Sequence, residues 1–391
     1  MRSYVLAMTL SVTTSGLARA QVRIPSVTVN PSLDTSSAVT GAIVRTLQRY
    51  WQLPIPGYTP TTLWRADEQG ARGTYDWTAG YLYFQGASAT ILQVTPVDAA
   101  EEAFVVKTLF TINNPSGTSQ QLGLQRLYAS RSDSGWVLGG ALPHLTREWR
   151  ERRVGHIAYH FSSSSRFDAH AAAGAARFVD SLGAFLGIRP SPTIDYYMTS
   201  STDEMYRIVG LDWYNQPSGP GTGHGGRAAN ADRAVFVGEP MGGEAYLHEL
   251  AHVVMWPLAP PNGRQGLIEE GAATWFGGSR NRTFGQLLPL LLALQRAHPA
   301  MMFSEVAELS DEERDIAFYG TGALIVDSVF QAAGASGVQR LLSAGRTDQQ
   351  LYGVLEQLLG VTRPAFDAWW RSEVSRASDR ESGPPRWTQP N

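Results

Sequence analysis

Three residues in the segment 245–254, AYLHELAHVV, have types and spacing that suit hydrolytic metal chemistry. His248 and His252 are four apart. Four steps of an α-helix turn through about 400°, so both imidazoles share one face. Side by side they can reach one cation at the usual Zn–N distance of roughly 2.0–2.1 Å. Glu249 lies about 100° round the helix from His248, beside such an ion rather than on it. That is where a carboxylate can take a proton from a metal-activated water. Ala245, Leu247, Leu250, Ala251, Val253 and Val254 are apolar and predict a buried, rigid support. Two histidines and a glutamate in so apolar a helix are costly to bury without a cation.

A site of this kind needs a third protein ligand and one position left for water. GLIEEGAATWF, 266–276, reads as a short helix opening on acidic residues, and Glu270 follows His252 after residues 253–269. Further on, FYGTGALIVDSVF places Tyr319 three residues before Gly322, at the head of an apolar helix. Together these segments resemble the gluzincin zinc metallopeptidases, the group that includes thermolysin-like enzymes and the aminopeptidase family. The aminopeptidase-like branch reads as His-Glu-x-x-His and then a glutamate-glycine-x-alanine helix. The resemblance implies Zn2+ as cofactor, His248, His252 and Glu270 as ligands, Glu249 as general base and Tyr319 as hydrogen-bond donor to an oxyanion. Glu269 is the competing ligand, its other role being a negative charge favoured at a helix N-terminus. The resemblance also implies that the strand RAVFVGEP offers Ala234 to Val237 to an extended substrate. The aminopeptidase loop is one residue longer, and its Gly-Ala-Met-Glu-Asn segment is absent here, the nearest text being GEPMGGE. An endopeptidase is therefore expected rather than an aminopeptidase, acting on a peptide or protein.

Positioning these residues requires a scaffold, and its elements are legible in outline. SAVTGAIVRTLQRYWQL carries apolar residues at helical spacing. GYLYF, ATILQVTPV, EAFVVKTLFTI, QQLGLQRLYAS and SGWVLGG then read as short strands separated by turn signals. The expected first unit, 21–149, is a small α+β domain with a curved antiparallel sheet. From residue 150, strand RRVGHIAYHF, helix RFDAHAAAGAARFVDSLGAFLGI, strand PTIDYYMTSS and helix TDEMYRIVG alternate, then RAVFVGEP leads into the motif helix. Everything after Leu267 reads as helical. The expected fold class is α+β, with a thermolysin-like second unit at 150–377: an α/β half with a mixed sheet, then an all-helical half. A polar tail, 378–391, reads as disordered.

Composition narrows the function classes. The charge is nearly balanced, Lys+Arg 32 against Asp+Glu 35, so no basic face points to nucleic acid. With no cysteine there is neither a disulfide framework nor a thiolate zinc site. Arg2, the modestly apolar YVLAMTLSVTTSGL and Ala18-Arg19-Ala20 form the pattern of an export signal spanning 1–20. The expected product is secreted or periplasmic, with no integral membrane segment after cleavage. His156 and His160 are also four apart, but in a strand they stand about 13 Å from each other and cannot share one ion. His224 lies in the Gly-rich run PSGPGTGHGG, which lacks the strand-to-helix setting of a phosphate loop. The alternative to an enzyme is a catalytically inactive, peptidase-like binding protein whose first unit recognises a partner.

Overall fold

The computed structural model describes residues 26–53, 61–71, 87–97, 102–113, 117–214, 225–238 and 242–379. The expected export signal, the expected GYLYF strand, His224 and nearly all of the polar tail lie outside the described residues. The fold is mixed α+β, with two sheets followed by a helical C-terminal half.

The first sheet has strands β1 (Val27–Val29), β2 (Ser88–Pro96), β3 (Ala103–Asn113), β4 (Ser119–Ser132) and β5 (Gly135–Gly139), in that spatial order. It is antiparallel except that β1 pairs parallel with β2. Helix α1 (Ala38–Trp51) covers one face, its Ser37 cap accepting from the Thr40 N–H. Ile43, Leu47, Tyr50 and Trp51 are fully buried there. They meet Ile91, Val106 and Phe110, which alternate inward along β2 and β3.

A short helix, α2 (Leu142–Leu145), leads to the second sheet. RRVGHIAYHF is not one strand but a hairpin, β6 (Arg150–Val154) and β7 (Ile157–Phe161), turned at Gly155 with φ +55°. His156 therefore sits in the turn near Asp180, while His160 pairs with Asp195 at 2.9 Å. Helix α3 (Ala169–Phe185), β8 (Ile194–Met198) and α4 (Thr202–Ile208) follow as the pattern predicts. Three further strands are β9 (Leu211–Tyr214), β10 (Gly226–Ala229) and β11 (Ala234–Val237). The sheet order is β10-β11-β8-β7-β6, with β7, β8 and β11 parallel and both outer strands antiparallel. Strand β9 instead joins the first sheet, pairing with β4 beside β5. Its Asp212 meets Lys107 at 2.9 Å and Arg126 at 2.7 Å.

The helical half comprises α5 (Leu247–Met255), α6 (Gly266–Gly277), α7 (Phe284–Ala297), α8 (Asp311–Leu342), α9 (Asp348–Leu359) and α10 (Phe366–Ser378). Helix α8 is two helical segments joined at Gly334, whose φ of +62° and ψ of −158° are not helical. By length and composition α8 is apolar enough to cross a membrane. Its apolar residues, Ala323 to Val326 among them, are buried in the core against its neighbours, as a central helix requires.

Candidate metal centre

Helix α5 lies between the second sheet and α6, so its motif residues are buried on both sides. The sheet fixes where it starts. Tyr196 on β8 donates its hydroxyl to the Gly243 carbonyl at 2.8 Å and accepts from the Tyr246 N–H at 3.1 Å. Tyr159 on β7 donates to the Glu244 carbonyl at 3.0 Å. Helix α6 then makes two close approaches, one at its end and one at its middle. A Cβ at Gly277 would lie 2.6 Å from the His248 nitrogen, so only glycine lets α6 touch the first turn of α5. A Cβ at Gly271 would lie 2.2 Å from the carbonyl carbon of Gly322, so α6 and α8 meet backbone to backbone. Glu270 adjoins one of these glycines and Tyr319 precedes the other by one turn. The spacing read from the sequence thus has a packing cause.

His248, His252 and Glu270 converge. His248 Nε2 is 3.1 Å from Glu270 Oε2, His252 Nε2 is 3.5 Å from the same oxygen, and the two Nε2 atoms are 3.2 Å apart. The groups behind the two rings assign the tautomers. His248 Nδ1 faces the Gly278 carbonyl at 2.6 Å, which can only accept, so Nδ1 carries the hydrogen. His252 Nδ1 faces Glu269 Oε1 at 3.0 Å and donates to that carboxylate. Both Nε2 lone pairs therefore point, with a carboxylate oxygen, at one spot. Tetrahedral coordination with bonds of roughly 2.0–2.1 Å places ligand atoms about 3.3 Å from one another. The three atoms match that triangle, and the donor set fits a small divalent cation. Glu269, the competing ligand of the sequence reading, supports His252 from behind instead.

The electrostatics follow from this crowding. Burial disfavours the charged form of His252, but Glu270 and Glu269 outweigh it and hold its pKa well above the ordinary imidazole value. Burial likewise pushes Glu270 up, yet the adjacent imidazoles, His252 foremost, hold it well below the usual carboxylate range. A proton and a cation thus compete for the same lone pairs. Tyr319 has its ring centre 6.0 Å from that of His248, with the planes at 67°. Burial, then the negative charge of Glu270, raises its pKa far above the phenol norm, so it remains a donor. Glu249 is 8% exposed, and a Cβ at Gly226 would come within 3.0 Å of its Cγ, so the start of β10 lies against it.

The substrate-pairing strand needs correction. Residues Ala234 to Val237 form β11, which is paired on one side with β10 and on the other with β8, so its backbone has no open edge. Among the described residues the edge strands of this sheet are β6 and β10, and it is β10, which GRAA did not announce because it is short and partly small-residue, that lies against the motif helix. Gly238 N–H bonds the Gly225 carbonyl, and antiparallel alternation then turns the N–H and C=O of Gly226 and Ala228 outward. Sequence reasoning also passed over Arg264, whose side chain is buried to 1% exposure beside Glu269. Its one signal was an arginine in an otherwise uncharged loop. No protein-family model matches the chain, and no curated protein matches it.

Proposed function

We propose that the chain is an exported zinc-dependent peptidase of the gluzincin type, cleaving within peptides rather than from their N-terminus. The observation that carries the reading is the triangle of His248 Nε2, His252 Nε2 and Glu270 Oε2, with Glu249 one residue along the same helix. Three protein ligands suit a catalytic zinc, and the lack of cysteine disfavours a closed structural site. When bound, zinc would polarise the scissile carbonyl and lower the pKa of a water to about 7. Glu249 takes the proton from the attacking water and passes it to the leaving amine. Tyr319 donates a hydrogen bond to the oxygen that gains charge as the carbonyl carbon becomes tetrahedral. The edge of β10, which no other described strand covers and which begins against Glu249, accepts an extended peptide by strand addition and sets the scissile bond beside the base.

The test is metal analysis of the purified protein together with cleavage of a blocked-terminus peptide library, with and without chelator. Zinc near one equivalent, chelator-sensitive internal cleavage, and a Glu249→Gln variant that keeps the metal but loses turnover by about 100-fold or more are expected. A Glu249→Gln variant as active as the wild type refutes the catalytic assignment.

A further inference from the structure

We infer that Arg264 and Glu269 form a positioning pair that locks His252 onto the cation and withholds Glu269 from it, leaving Glu270 as the sole carboxylate ligand. The inference rests on reading His248, His252 and Glu270 as the ligands. Glu269 and Glu270 are neighbours at the start of α6, and each has an oxygen within 3.5 Å of a ring nitrogen of His252. A free Glu269 would be a fourth protein ligand, and four protein ligands leave no position for water.

Both oxygens of Glu269 are engaged elsewhere. Oε1 accepts from His252 Nδ1 at 3.0 Å and Oε2 accepts from Arg264 Nη1 at 2.5 Å. Asn230, at the end of β10, adds Nδ2 at 3.5 Å from Oε1. Arg264 itself has no slack. Its Nε donates to the Leu342 carbonyl at 2.8 Å and its Nη2 to the Met255 carbonyl at 2.9 Å. Leu342 and Met255 are the last residues of α8 and α5, whose final carbonyls lack partners within their own helices. One planar guanidinium therefore ties the end of the histidine helix, the end of the Tyr319 helix and the first turn of the Glu270 helix. A lysine, a point charge on a flexible stem, cannot serve three acceptors in this geometry. Groups that hold a ligand imidazole from behind in this way set its orientation and the affinity for the metal.

The experiment uses the full chain and its Glu269→Gln, Arg264→Lys and Arg264→Met variants. Zinc dissociation constants come from chelator competition, and the visible spectrum is recorded after loading with Co2+. Metal-free melting temperatures are taken in parallel. Glu269→Gln should bind zinc about 10–100-fold more weakly. Arg264→Met should give a weaker, shifted cobalt band as Glu269 enters the coordination sphere, and Arg264→Lys should not restore the wild-type spectrum. If Arg264→Met does not fold, Glu269→Gln and Arg264→Lys still decide the matter. A purely structural pair would lower the metal-free melting temperature while leaving zinc affinity and the cobalt spectrum unmoved; that result overturns the inference alone. A wild-type protein that binds neither zinc nor cobalt overturns the metal reading itself, and this inference with it.

Discussion

Replacing Gly271 with alanine asks whether the contact between α6 and α8 sets the ligand geometry. The new Cβ would sit 2.2 Å from the carbonyl carbon of Gly322 and 2.3 Å from its Cα. Nonbonded carbons need about 3.5–4.0 Å. The obstructing atoms are backbone, so no rotamer change relieves the overlap, and the helices must part by about 1 Å or more. Overpacking costs about 1–3 kcal/mol, at the upper end here, and the better helix propensity of alanine offsets about 1 kcal/mol. The net loss of about 2 kcal/mol corresponds to a fall in melting temperature of about 4–8 °C. The effect on the metal should be larger. Glu270 is the adjoining residue, and ligand distances tolerate only about 0.2 Å, so zinc affinity should fall by on the order of 100-fold. Calorimetry with and without zinc, paired with a chelator-competition titration, reads both quantities. Gly322→Ala strikes the Leu267 carbonyl oxygen at 2.3 Å in the same contact, so the double variant should lose less than the sum. A Gly271→Ala protein that melts and binds zinc like the wild type would refute this reasoning.

Three further outcomes are expected. Tyr319→Phe removes the proposed oxyanion donor while keeping the ring beside His248, so kcat should fall about 100–1,000-fold with KM little changed; steady-state kinetics on one peptide decide it. In chelator, the raised pKa of His252 contributes stability that is fully present below its unfolded value of 6.5 and lost as pH rises through the folded one. The lowered pKa of Glu270 contributes stability present above 4.5 and lost as pH falls through its depressed folded value. The melting temperature of the metal-free protein should therefore peak between pH 4.5 and 6.5. The gap between zinc-loaded and metal-free melting temperatures should widen above that range, and a flat gap would contradict the proton–metal competition. Ala228→Pro deletes an outward-facing N–H from β10 without touching its bonds to β11, so KM for extended peptides should rise several-fold while zinc affinity holds.

The candidate metal-binding group was legible because such chemistry demands fixed residue types at fixed helical intervals. His248, Glu249 and His252 carry that information locally, and Glu270 and Tyr319 are each tied to a glycine that close helix packing requires. The choice of Glu270 over Glu269 came from the resemblance and agrees with the grouping of His248, His252 and Glu270, but its physical reason was not legible. Adjacent carboxylates on one helix differ only in what lies behind them, and Arg264 reaches Glu269 from a loop whose path no local pattern predicts. Strand β10 was missed because a four-residue edge strand has too few side chains to show alternation. The turn at Gly155 was missed because a glycine inside a β-branched run equally suits a continuous strand. The mixed α+β layout survived these errors, since it depends on runs of strands and helices rather than on their ends.

The placement of β9 bears on how the molecule can be divided. A fragment starting at residue 150 would carry a strand whose hydrogen-bonding neighbour, β4, had been cut away, and an Asp212 carboxylate, only 10% exposed, robbed of Lys107 and Arg126. Such a fragment would lose both ion pairs and the β4–β9 ladder and would expose the apolar side chains that the first sheet covers. The front sheet is thus less a passenger than half of a clasp, closed by β9 across the boundary near residue 150.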